Sequence, residues 1–182
     1  MTVYMLIGYP GCGKTTYAKK LAEKKNADLF IVDDIIRENH KKELTHRQCL
    51  KEVDALFFRK LSAVIMHNRN IIVEGNYLTK ERRRELFLTV DFVRKNCKDY
   101  LTKNPAYQRV ILRNKLMTNL NTKVVAIHIN NDLKDCIEKV HKRDGYEGID
   151  TLESKRKKEV PEMNEGFYAI TTIHNDYGEV VM

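Results

Sequence analysis

Pairing cysteines, clustered histidines and long apolar runs are all scarce in this chain, and each shortage removes a class of function. Cys12, Cys49, Cys97 and Cys136 form no C-x-x-C pair, and the six histidines are scattered without ligand spacing. Neither a disulfide framework nor a zinc site is indicated, and reduced thiols fit the cytosol. The apolar start, Val3 to Ile7, is too short for the core of a signal peptide, and no later stretch approaches a membrane span. The expectation is a soluble cytoplasmic protein with no membrane partner. Internal repeats, low-complexity tracts, an Asp-x-Asp phosphatase signature and a ligase segment are also missing.

What remains is an ordinary globular composition. The chain has 182 residues, 42% of them hydrophobic and 32% charged, enough for one domain with a real core and unlike a disordered segment. A formal net charge of +8 favours an anionic partner. Eight basic residues against the single acid Asp99 fall between Arg94 and Lys123, so nearly all the excess sits there, interleaved with Tyr100 and Tyr107. Such a patch has the footprint of a single-stranded nucleic-acid binder, and equally that of a solvated helical hairpin. Asn104-Pro105 predicts a break there between two helices.

The strongest signal is Gly8-Tyr9-Pro10-Gly11-Cys12-Gly13-Lys14-Thr15-Thr16, which fits G-x-x-x-x-G-K-[ST] between an apolar run and an opening helix. Glycines let the backbone close on a polyphosphate, and the N–H groups of Gly8, Gly11, Cys12, Gly13, Lys14, Thr15 and Thr16 are placed to receive it at a helix N-terminus. Lys14 is expected to reach the β and γ phosphates of ATP, and the Thr15 hydroxyl to face Mg²⁺.

Two later strand ends bring acid to the same edge. The run Leu29 to Val32 reads as a buried strand followed by Asp33 and Asp34, with Arg37 three residues on; Ile71 to Val73 reads as another, followed by Glu74-Gly75-Asn76. Thr45 to Asn68 has the periodicity of one long helix, and Thr79 caps the next, whose Arg82-Arg83-Arg84 cannot share one face and are assigned no specific contact. Val124 to Ile129 predicts a fourth strand, then a helix with Lys134, Lys139 and Lys142 outward, closed by Arg143. Residues 144–160 read as a lid, and Phe167 to Ile173 as a fifth strand pairing with Tyr177 to Met182 through a turn. Strands alternating with helices predict one three-layer α/β domain over 1–182, a P-loop kinase fold with a mainly parallel five-stranded sheet. An Mg-ATP site beside a carboxylate and arginines is equipment for moving a γ-phosphoryl group onto a hydroxyl.

The phosphate loop, Asp34-Ile35-Ile36-Arg37, the end of the third strand, Arg143 and the segment Val160-Pro161-Glu162-Met163-Asn164-Glu165-Gly166-Phe167 together resemble the kinase domain of polynucleotide 5′-hydroxyl kinases. That resemblance implies that Asp34 is the general base, that Arg37 binds a phosphate of the acceptor strand together with Glu74 and Asn76, and that Arg143 is a lid arginine on the transferring phosphate. It implies a nucleic-acid 5′ end as partner. Asp33 stands beside Asp34 as an alternative base, the spacing to Arg37 favouring Asp34. Glu74-Gly75-Asn76 departs from the Asp then Thr-Asn that is frequent in that family, and residues 94–123 stand outside its pattern as a basic helical insertion. A kinase for a small acceptor, as in zeta-toxin-like relatives, and an ATP-binding regulatory module are the alternatives.

Overall fold

A computed structural model describes residues 1–40, 44–104, 122–144 and 158–174. Five strands, β1 (Thr2–Ile7), β2 (Ala27–Ile31), β3 (Asn70–Glu74), β4 (Lys123–Ile129) and β5 (Ala169–Ile173), form one sheet in the order β2-β3-β1-β4-β5. Every pairing is parallel, with Leu6 opposite Glu74 and Ile7 opposite His128. Parallel neighbours need crossovers, and the helices supply them: α1 (Lys14–Lys25), α2 (Val32–His40), α3 (His46–Met66), α4 (Lys80–Lys103) and α5 (Leu133–Asp144).

Alternation along the strands divides the core in two. Val3, Met5, Ile7, Ile71, Val73, Val124 and Ala126 face α3 and α4 through Leu61, Val64, Leu86 and Val93. Leu6, Ile72, Ile127 and Ile129 point the other way, into a cluster with Ala18, Leu21 and Cys136 from α1 and α5. Each fully buried aliphatic side chain contributes about 1.5–3 kcal/mol, so these two layers hold the sheet. Ends are set locally. Asn26 closes α1 in the left-handed conformation, and Thr45 and Gln48 form a reciprocal capping box at the start of α3.

Several expectations change. The helix from Lys80 runs unbroken to Lys103, so Arg94, Lys95, Lys98 and Lys103 all lie on α4. The second helix foreseen after Pro105 lies outside the described residues, as do most of the lid and the partner strand at Tyr177 to Met182. β5 pairs in parallel with β4, and Val32 already belongs to α2.

Arg83 overturns the reading of the arginine triplet. Its side chain is fully buried and grips Glu165 with two parallel bonds of 2.7 and 2.8 Å. Its remaining terminal nitrogen donates to the carbonyls of Tyr77, Leu78 and Glu159 at 3.0–3.2 Å. Only one of three consecutive helical positions faces inward, and here that position meets residues 158–167, which lead into β5. Glu159 N–H donates to the Leu78 carbonyl, Lys80 pairs with Glu162, and Phe167 packs on Phe87 with ring centres 5.0 Å apart.

His128 follows Val124 and Ala126 along β4, is 2% exposed, and neither ring nitrogen finds a partner among the described residues. Burial pushes its pKa down to about 4, and the charges of Lys158, Arg83 and His174 act in the same direction. Between the unfolded value of 6.5 and about 4 the unfolded chain holds more protons, so stability is fully present above that window and falls as pH drops through it. The full loss is roughly 3 kcal/mol. Urea unfolding of wild type and His128→Phe across pH 4–7 should show this slope shrinking in the variant; identical slopes would refute the assignment.

Candidate active site

Strand β1 ends at Ile7, and the loop turns at once, with Cys12 N–H donating to the Tyr9 carbonyl at 3.2 Å. Gly11 and Gly13 take positive φ values of 81° and 89°, and a Cβ at Gly11 would lie 2.6 Å from the Cys136 carbonyl. No other residue fits there without moving α5. The Cys12 thiol turns into the core, where burial raises its pKa, so its share in a phosphate site is its backbone. Asn131 holds the Cys12 carbonyl at 3.3 Å.

Lys14 is only 8% exposed, and its ammonium donates to the carbonyls of Gly8 and Tyr9 at 3.0 and 2.9 Å. The Thr15 hydroxyl donates to Glu74 Oε2 at 3.0 Å. Glu74 is 3% exposed at the end of β3, and burial raises its pKa, with Asp33 and Asp34 adding to the rise; Lys14 and the Thr15 hydrogen bond oppose it. The resemblance grouped Glu74 with Arg37 and Asn76 on the acceptor side and left open a direct contact between Glu74 and Arg37. In the structure it sits on Thr15, while Arg37 pairs with Asp34 at 3.1 Å, both side chains well exposed. The parallel register is the reason: β3 lies beside β1, so its last residue faces the loop that leaves β1.

These groups line one cleft of about 230 Å³, together with Gly8, Gly11, Gly13, Thr16, Asp33, Asn76, Lys139 and Arg143. Arg143 and Asn76, two of the residues singled out in the sequence, thus line the same cleft as the phosphate loop. Asp33, the less favoured of the two aspartates, lines this cleft; Asp34, one residue on, lines the neighbouring groove. Lys139 was read as an outward surface residue. It precedes Arg143 by four positions, so both lie on the same face of α5, and that spacing was the available signal.

The donor set fits a hard cation. A hydroxyl, a buried carboxylate and a second carboxylate offer only oxygen, and no cluster of three or more His, Cys, Asp or Glu able to hold a metal by itself occurs among the described residues. Mg²⁺ characteristically binds in that way, between few protein oxygens and a nucleotide. Thr15, Glu74 and Asp33 are the residues that would hold it.

At the far end of the molecule the geometry is different. α4 leaves the cleft edge at Lys80 and runs back along the sheet, so Arg94 lies about 21 Å along its axis. Val90 and Asp91 already share a cavity with Lys123 and Val124 at the start of β4. The described part of the basic stretch thus occupies the edge of the sheet opposite the phosphate loop. No helix among the described residues is long and apolar enough to cross a membrane.

Comparison with known proteins agrees with this geometry. Shikimate kinase of Corynebacterium efficiens is 30% identical over 99 residues, half of this chain and 56% of that protein. Shikimate kinase of Azobacteroides pseudotrichonymphae is 52% identical over 40 residues, 22% of this chain and 24% of that one. The chain therefore spans about a quarter to just over half of the length of these curated relatives. A solved structure from Chloroflexus aurantiacus, described as a candidate kinase, superposes with a TM-score of 0.61 at 14% identity, covering 97% of this chain and 86% of the other. The polynucleotide branch suggested by the sequence does not come forward; what the comparisons carry is the P-loop kinase superfamily. A family model described as an AAA domain matches residues 3–167, and the chain belongs to that family, with the fold of a P-loop kinase.

Proposed function

We propose that this protein is an ATP-dependent kinase that phosphorylates an alcohol group of a small acceptor. The observation that carries the proposal is the convergence of Lys14, Thr15, Glu74, Asp33 and Arg143 on one cleft whose loop has the phosphate-binding sequence. Support for a small acceptor comes from the shikimate kinases among the relatives. It comes also from the basic stretch, whose described residues stand at the opposite edge of the sheet.

In this reading the loop N–H groups and Lys14 hold the β and γ phosphates, and Lys14 exchanges the Gly8 and Tyr9 carbonyls for phosphate oxygens. Bound Mg²⁺ would neutralise charge on those oxygens. Asp34 accepts the proton of the acceptor hydroxyl as its oxygen bonds to the γ phosphorus and the bond to the β-phosphate oxygen breaks, releasing ADP. Arg143 and Lys139 face the charge that spreads over the transferring group. Asp33 and Glu74 would hold the cation beside the Thr15 hydroxyl.

The Asp34–Arg37 pair favours a second reading, in which the acceptor is a polynucleotide 5′ end and Arg37 binds its phosphate. One assay separates the two: transfer of labelled γ-phosphate from Mg-ATP to shikimate, gluconate, glucose, nucleosides and a 5′-hydroxyl oligonucleotide. Label on a small acceptor, reduced about 10²–10⁴-fold in kcat by Asp34→Asn with ATP affinity unchanged, is the expected result. Label confined to the oligonucleotide would replace the first reading by the second. Label on no acceptor, with tight ATP binding, would overturn both.

A further inference from the structure

A second cavity, of about 650 Å³, lies beside the phosphate cleft, where α1 and α3 flank the edge strand β2. Its floor is apolar, with Phe30 and Ile31 from the strand and Leu56 from α3, while Lys19, Arg59 and Lys60 stand around it. Among the described residues the only acid lining it is Asp34, at the N-terminal turn of α2. Asp33 lines the phosphate cleft, so that turn of α2 is the wall the two cavities share.

Lys19, Arg59 and Lys60 make no carboxylate pair among the described residues, although ion pairs form elsewhere on the same surface at Arg37, Arg69, Arg82 and Arg94. Lys60 does have a structural task, since its ammonium donates to the Leu29 carbonyl on the open edge of β2 at 2.6 Å. An ammonium has three donors, so that bond leaves two. Among the described residues Arg59 bonds only back to the Ala55 carbonyl of its own helix through Nε, which leaves the terminal nitrogens of the guanidinium. An apolar floor with uncompensated cations at the rim matches a ligand that has a hydrocarbon face and an anionic group.

We infer that this groove binds the body of the acceptor, and that the acceptor is an alcohol bearing a carboxylate or a phosphate, seated on Phe30 and Leu56 with its anion against Lys19 and Arg59 and its hydroxyl at Asp34. The inference rests on the kinase reading and adds the chemical class of the substrate. The protein takes the hydroxyl toward the phosphate cleft and holds the charge of the acceptor away from the phosphates of ATP. Two like-charged groups are thereby kept apart by the first turn of α2.

The test uses the full chain and 8-anilinonaphthalene-1-sulfonate, a probe with a flat apolar body and one anion. Saturable binding to wild type is expected, weakened about tenfold or more in Lys19→Gln/Arg59→Gln, with ATP affinity and melting temperature unchanged. Both substituted side chains are exposed, so the fold should tolerate the change. Displacement of the probe by gluconate points to a carboxylate acceptor and displacement by glycerol 3-phosphate to a phosphorylated one. Equal probe affinity in wild type and double variant, or no saturable binding, overturns the groove assignment. Probe binding lost in the variant while no alcohol in the transfer assay is labelled keeps the anion site and overturns the kinase reading, so the two failures are distinguishable.

Discussion

Lys14→Met should lower kcat/KM for phosphoryl transfer by roughly 10²–10³-fold, the loss typical when one preorganised donor to the reacting group is removed. Two effects add in this site. The ammonium disappears from the phosphates, and Glu74 loses the nearby charge that holds its carboxyl down against burial. The acid limb of the residual activity should therefore move to higher pH, because a buried carboxylate without its cation protonates more readily. Steady-state kinetics against pH, beside calorimetric titration with Mg-ATP, measure both. A variant with wild-type kcat/KM would remove Lys14 from the mechanism, and an unmoved acid limb would remove Glu74.

Arg83→Met should be the most damaging substitution away from the cleft. It strands a carboxylate that is 10% exposed at the side chain and takes a donor from the carbonyls of Tyr77, Leu78 and Glu159, of which Leu78 keeps the Glu159 N–H. Breaking a buried pair from one side costs about 3–5 kcal/mol. In a domain of this size that corresponds to a fall in melting temperature of roughly 10 °C. Arg83→Met/Glu165→Leu should recover part of the loss, since the second change removes the stranded charge. Urea and thermal unfolding of the single and double variants decide it. A single variant within about 0.5 kcal/mol of wild type would show that the pair is a surface contact of little consequence.

The site was legible where chemistry is local. The phosphate loop announces itself in nine consecutive residues, and Asp33, Asp34 and Glu74 lie where apolar runs stop, which in a parallel sheet is the ligand edge. Thr15 with Glu74 was not legible, because it depends on β3 lying beside β1, and strand order is not written in periodicity. Arg83 was missed for a related reason. Among three adjacent arginines the pattern tells that one turns inward, and only the long-range partner Glu165 tells which. The division of labour between Asp33 and Asp34 follows from their angular separation of about 100° on the first turn of α2. Spacing to Arg37 favoured Asp34 as the base; it did not reveal that the two side chains pair at 3.1 Å, nor the cleft to which each aspartate belongs.

The Arg83 clamp also carries information about synthesis. Its two halves are separated by 82 residues, and β5 joins the sheet only after both are in place. On the ribosome, β1 to β3 and α4 emerge first and hold a guanidinium for which no carboxylate has yet been made. Non-local closure of this kind is slow, and partly formed sheets with open edges are the species that aggregate. A segment made later than α4 is thus the one that neutralises a charge carried by the first half of the domain. Chains stalled before Glu165 should be recognised as unfinished by chaperones and proteases, and chains that pass it should lock.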